Sequence, residues 1–198
     1  MVLMKLYAVA LAALLPAVAA VPNVDPGKAA GNPSAPITIQ IFSDYECPSC
    51  KLFHERTLPE VVRDYVNTGK VYVINRDFPL TMHPYSRQAA SYACAAARLG
   101  LFQPVADALF RDQNSWAMTG KVWECVASVL TLHQQKEVQA LAASPEVRAE
   151  IERDLAAGQR EAVDSTPTLI ISRGARKYPV SGGINYILLR RLLDDISK

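Results

Sequence analysis

Two cysteines three residues apart, Cys47-Pro48-Ser49-Cys50, constrain this chain more than any other feature, because the stretches around them are patterned so differently. Before them runs Ile37-Thr38-Ile39-Gln40-Ile41-Phe42, apolar, β-branched and of strand length. After them, Lys51-Leu52-Phe53-His54-Glu55-Arg56 has the character of a helix's first turns. Proline suits a first helical position, where its missing N–H would have no partner anyway. Strand, CxxC and helix in that order form the setting in which the motif serves redox chemistry rather than metal binding. A lone CxxC can also be half of a zinc site, but no second CxxC or histidine pair stands at ligand spacing, and His54, His83 and His133 are scattered. A purely structural bridge across so short a loop would constrain the unfolded chain little. No metal and no cofactor is expected.

The thiolate is the nucleophile of disulfide exchange, so such a site needs a thiol that ionises near neutral pH. A helix N-terminus supplies this to Cys47, since its unpaired N–H groups and the macrodipole favour an anion. Cys50 falls one turn later on the same face, within reach for a disulfide. Position assigns the roles: Cys47, at the tip, meets the substrate, and Cys50 resolves the mixed disulfide. Pro48 and Ser49 shape the loop between them.

The amino terminus bears on where this chemistry would run. Lys5 precedes the apolar run Leu6 to Leu15, and Pro16 leads into Ala17-Val18-Ala19-Ala20. This is the layout of a secretory signal peptide, residues 1–20, cleaved after Ala19 or Ala20. The apolar run is shorter than the roughly 20 residues a spanning helix needs. Export to the periplasm or beyond is the expectation, and in an oxidising compartment disulfides persist. The remaining cysteines, Cys94 and Cys125, are then expected to form a structural disulfide worth ~3–4 kcal/mol in the chain-entropy model. The alternative is two buried, inert thiols. A net charge of +2 with mixed signs carries no basic stripe, which argues against nucleic acid and membrane-surface partners.

Residues 21–36 hold four prolines, two glycines and two asparagines without an apolar period, and read as an extended arm with no assigned function. A helix is predicted from Pro48 to about Val66, bent or interrupted at Pro59, with Leu52, Phe53, Leu58, Val61, Val62 and Tyr65 inward. Residues 70–77 form a second strand, and a crossover of this length implies parallel pairing with the first. From about 79 to 165 only helices are expected: 85–99, 102–111, 120–132, 134–142 and one capped by Ser144. The sheet resumes at 168–172 and returns antiparallel at 177–180, where Pro179 marks an edge strand. A last helix spans 184–196. The expected fold is α/β and thioredoxin-like: residues 37–198 make a central mixed sheet carrying a large helical insertion.

Phe42-Ser43-Asp44-Tyr45-Glu46-Cys47-Pro48-Ser49-Cys50, then Phe78-Pro79-Leu80 with His83-Pro84, then Thr166-Pro167-Thr168, resembles the DsbA-like family of secreted thioredoxin-fold oxidoreductases. The resemblance runs from about Ala35 to the C-terminus and includes the helical insertion. It implies that Pro167 is cis and packs against the cysteine pair, and that the Thr166 backbone binds an extended stretch of substrate. It implies a dithiol oxidase acting on reduced exported proteins, reoxidised by a membrane partner of quinone-reductase type. A reductase or isomerase of the same fold, a glutathione-dependent transferase and a non-catalytic binding module are the other readings. The short segment before the first strand leaves little room for a dimerisation domain, which points to a monomer.

Two positions depart from that pattern. Strongly oxidising members often carry histidine where Ser49 stands, and a hydroxyl stabilises the Cys47 thiolate less, so a less oxidising pair is expected. Some members carry a buried carboxylate six residues before the first cysteine, where this chain has Ile41. Proton transfer with Cys50 then falls to water, or to Asp44 or Glu46, which equally read as solvated loop charges.

Overall fold

The computed structural model describes residues 25–198. The signal segment 1–20 and the first residues of the arm lie outside that range. A five-stranded mixed sheet, in the order β1-β3-β2-β4-β5, organises the rest. Its centre is β2 (Ile37–Ser43), parallel to β3 (Val71–Asp77) and antiparallel to β4 (Thr168–Arg173). β5 (Arg176–Ser181) lies at one edge, and there Pro179, which has no N–H to donate, interrupts no central ladder.

Alternation along β2 divides the core. Ile37, Ile39 and Ile41 pack with Val71, Val73, Leu169 and Ile171 under the first helix and α9 (Tyr186–Ser197). Phe42 turns to the other face, meeting Phe78 edge-on and Ile170. Here α8 (Pro145–Arg160) comes so close that a Cβ on Gly158 would sit 2.4 Å from the Phe78 ring, which is why a glycine occupies the helix's last turn.

The helix after the cysteines is continuous but not uniform. α1 (Pro48–Leu52) and α2 (Leu58–Val61) alternate with π-helical turns at Phe53–Thr57 and Val62–Val66. The first wide turn comes just ahead of Pro59, whose ring and missing N–H conflict with regular α bonding. Leu52 is not part of the inward stripe; it is 55% exposed. Cys50 sets the buried face, and two residues further on lie about 200° around a helix of 3.6 residues per turn.

Between β3 and β4 stand α3 (Ser86–Ala97), α4 (Phe102–Arg111), α5 (Gln113–Thr119), α6 (Val122–Ala127), α7 (Leu132–Ala142) and α8. The residues of α5 lack an apolar stripe, and its helix is absent from the sequence prediction. Tertiary bonds hold it: Trp116 Nε1 donates to the Leu109 carbonyl at 2.7 Å. No described helix is long and apolar enough to cross a membrane.

The arm, to which the sequence reading assigned no function, is not simply extended. A 3-10 turn, Pro26–Lys28, leads into β1 (Ala29–Ala30), which pairs antiparallel with β3. Gly27 lies against α3 so tightly that a Cβ would meet the Ala97 carbonyl oxygen at 2.3 Å. Lys28 is 1% exposed and enters a buried cluster, ion-paired with Asp77, with Asp154 at 2.7 Å and with Glu150 at 3.3 Å. Arg76 and Arg98 complete the balance, at 2.7 Å from Asp154 and 2.9 Å from Glu150. Burial opposes the lysine's charge, but these carboxylates outweigh it and raise its pKa.

Candidate active site

β2 ends at Ser43, and the loop Asp44-Tyr45-Glu46 delivers Cys47 as the N-cap of α1, in extended conformation with Pro48 following. The Asp44 carboxylate secures this loop. Its Oδ1 accepts from the Glu46 N–H at 2.7 Å and the Ser86 hydroxyl at 2.5 Å. Its Oδ2 accepts from the Leu80 N–H at 2.8 Å and lies 2.8 Å from His83 Nδ1. Glu46 accepts from the Tyr85 N–H at 2.9 Å. Neither carboxylate is a solvated loop charge: Asp44 is 1% exposed, and both tie the motif to the Pro79–Ser86 segment. Gln113, unremarkable in the sequence, donates its side-chain amide to the Tyr45 carbonyl at 2.7 Å and the Cys47 carbonyl at 3.0 Å.

The Cys47 and Cys50 thiols differ sharply. The Cys47 thiol is lowered from 9.0 to about 5. A hydrogen bond from the Cys50 thiol is the largest cause; burial opposes it, and the Thr166 side chain and the backbone N–H groups of Cys50 and Ser49 add to it. No imidazole takes part, so the helix start and Cys50 do the work that a histidine at position 49 would share. Burial, then the neighbouring Cys47, pushes the Cys50 thiol up. Cys47 is therefore the thiol that ionises at neutral pH, and Cys50 the one that keeps its proton.

Thr166 faces the pair. Its carbonyl accepts from Cys47 Sγ at 3.3 Å, and the peptide to Pro167 is cis. The Thr166 hydroxyl is buried and has no other partner among the described residues, which leaves it free to donate once Cys47 ionises.

Cys94 and Cys125 are not joined, and the expected bridge is corrected. Cys94 is fully buried, donating to Asp77 Oδ2 at 3.0 Å beside Lys28. Cys125 turns toward the end of α4, 3.3 Å from the Ala108 carbonyl. Burial first, then Asp77 for Cys94 and Asp112 for Cys125, raises both thiols, the latter to about 11. Each thiol is held by its own polar neighbour. Among the described residues no cluster of histidine, cysteine and carboxylate groups could hold a metal ion.

A family model described as thioredoxin matches residues 24–183. The chain belongs to that thioredoxin family. It is 30% identical over 152 residues to Na(+)/H(+) antiporter NhaA 3 of Salinispora tropica, covering 75% of this chain and 22% of that protein. It is 36% identical over 55 residues to disulfide bond formation protein D of Bacillus subtilis, covering 28% of this chain and 25% of that protein. The matched stretch thus spans a quarter or less of either relative. Among solved structures, a thioredoxin-like oxidoreductase from Silicibacter pomeroyi superposes with a TM-score of 0.70 at 25% identity, covering 85% of this chain and 90% of that one. Alpha-DsbA1 of Wolbachia pipientis superposes with a TM-score of 0.71 at 21% identity over 89% and 92% of the two chains, which establishes the shared fold.

Proposed function

We propose that the protein is an exported thiol:disulfide oxidoreductase that donates its Cys47–Cys50 disulfide to reduced client proteins. The observation that carries this reading is the split between the two thiols, Cys47 lowered to about 5 and Cys50 buried and raised. A client thiolate attacks Cys47 Sγ, the Cys47–Cys50 bond breaks, and Cys50 leaves and takes up a proton. A second client thiolate then attacks the client sulfur of the mixed disulfide and expels Cys47 as its stabilised thiolate. Stabilising that leaving group drives the pair toward reduction, which favours the oxidase direction. Thr166, beside Cys47 at the head of β4, offers its backbone to an extended client segment, with cis-Pro167 holding it there.

The similarity to a disulfide bond formation protein and to thioredoxin-like oxidoreductases supports the same reaction class. Work on exported clients requires the 1–20 segment to act as a cleaved signal. It also requires a membrane partner, of quinone-reductase type, to restore the disulfide to a monomeric enzyme. The test is refolding of a reduced, multi-disulfide protein with stoichiometric oxidised enzyme. Wild type should restore client activity and Cys47→Ser should not; equal yields from both would sink the proposal.

A further inference from the structure

Cys50 must give up a proton when it attacks and regain one when it leaves, yet it is 1% exposed. The groups nearest in sequence cannot serve. The Asp44 N–H lies 3.5 Å from Cys50 Sγ, but a backbone amide does not exchange protons on this timescale, and the Asp44 carboxylate already has four hydrogen-bonding partners. Ile41 faces the space below Cys50 with a hydrocarbon side chain.

That space is a cavity of about 20 Å³ between the sheet, α1 and α4, lined by Cys50, Ile41, Ser43, Tyr45, Asp77 and Ala106 among others. About 10–15 Å³ suffices for one water. Ser43 pairs with Asp77 in the parallel register of β2 and β3, so both side chains leave the same sheet face. The Ser43 hydroxyl also lies close enough to stabilise the Cys50 thiolate. Asp77 faces Lys28 from the arm, Cys94 from α3 and Asp154 from α8, with Glu150 on the far side of Lys28 and Cys94. Burial raises its carboxyl, Lys28 lowers it and Asp154 raises it; the balance is upward, which brings it closer to a thiol's range. Of the other ionisable groups around the cavity, Tyr45 is pushed up by burial and Arg76 is ion-paired with Asp154. His54, half-buried in the cavity wall, lies 2.7 Å from Asp107.

We propose that Asp77 relays the proton of Cys50 through Ser43 and one cavity water, from the strand beside the one where Ile41 stands. The inference rests on the exchange chemistry proposed above. When Cys50 attacks, its proton passes to the Asp77 carboxylate, the Cys50–Cys47 bond forms, and the partner sulfur leaves as thiolate. When a client opens the disulfide, the neutral Asp77 carboxyl returns the proton to the departing Cys50.

Mixing the reduced full-length protein with dithiobis(nitrobenzoate) separates the steps. Cys47 attack releases the first aromatic thiolate, and Cys50 closure releases the second. Asp77→Asn should slow the second phase about 100-fold, at the lower end of general acid–base contributions, and make it rise with each pH unit as bulk hydroxide takes over. The first phase should not change. Ile41→Asp in the Asp77→Asn background returns a carboxylate to the cavity wall and should restore the second phase, which a merely structural Asp77 would not allow. Should Asp77→Asn not fold, Ala106→Val, which fills the cavity and leaves the Lys28 pair intact, should slow the second phase by itself. A second phase in Asp77→Asn that matches wild type at every pH overturns the relay, as does loss that His54→Gln reproduces and Ile41→Asp fails to rescue. Loss of both phases in wild type would instead overturn the exchange reading.

Discussion

Replacing Lys28 by methionine isolates the buried cluster that ties the arm to the sheet and the helical insertion. The lysine has three carboxylates around it, with Asp154 at 2.7 Å and Glu150 at 3.3 Å. At an effective dielectric of about 20, each contact of this length is worth roughly 5 kcal/mol. Desolvation of the buried ions returns several kcal/mol apiece, and removing one partner of a buried pair has a net cost of about 3–5 kcal/mol. That is a large part of the 5–15 kcal/mol that keeps a domain folded. Methionine retains the apolar reach of the stem, so lost charge rather than lost volume is what the variant reports. Urea unfolding of Lys28→Met at neutral pH should place it about 3–5 kcal/mol below wild type. The sign of its pH dependence follows from the carboxylates left behind. Asp77 is already raised by burial, and without Lys28 it rises further. A group whose folded pKa lies above its unfolded value favours folding as it protonates, so the deficit must narrow as pH falls. A deficit below about 0.5 kcal/mol, the size of an ordinary surface change, or one that widens toward acid, would refute this reasoning.

Four further outcomes follow from other parts of the structure. Thr166→Val removes a hydroxyl that stabilises the Cys47 thiolate; the thiol should titrate above about 5 and the pair should become less oxidising against glutathione. A depressed thiol pKa contributes stability that is complete above the unfolded value and lost as pH falls through the folded one. The reduced protein should therefore gain stability over the oxidised protein between about pH 5 and 9, read from paired denaturation curves. Gly158→Ala places a Cβ 2.4 Å from the Phe78 ring, and the strain should outweigh the helix-propensity gain, lowering stability by about 1–2 kcal/mol in thermal unfolding. Thiol counting on oxidised, denatured protein should find two free thiols, Cys94 and Cys125; finding none would restore the bridge.

What the sequence revealed was whatever depended on local pattern. The central place of β2, the loop-helix-loop spacing to β3, the helix at Phe102–Arg111 and the edge position of Pro179 follow from local apolar pattern and from what proline lacks. That Cys47 stands at a helix start is also local. Lys28 was illegible because a lysine in a proline-rich arm has no apolar period; its burial makes sense only where β3 and α8 converge three carboxylates on it. Gln113 and α5 escaped for the same reason, their bonds reaching back to Tyr45, Cys47 and Leu109. Asp44 looked like a loop charge until the segment from Leu80 to Ser86 closed over it. Cys94 and Cys125 looked like partners because export favours disulfides, but spacing along a chain says nothing about which way two helices turn their thiols.

The account stands most directly on the state of Cys47. Titrating the ultraviolet absorbance of the thiolate in reduced protein, with Cys47→Ser as the reference, measures it without a client or an oxidant. A single step centred near pH 5 that disappears in Cys47→Ser, with Cys50 silent until well above 9, is the expected result. A step near 9, or one that survives the substitution, would contradict it.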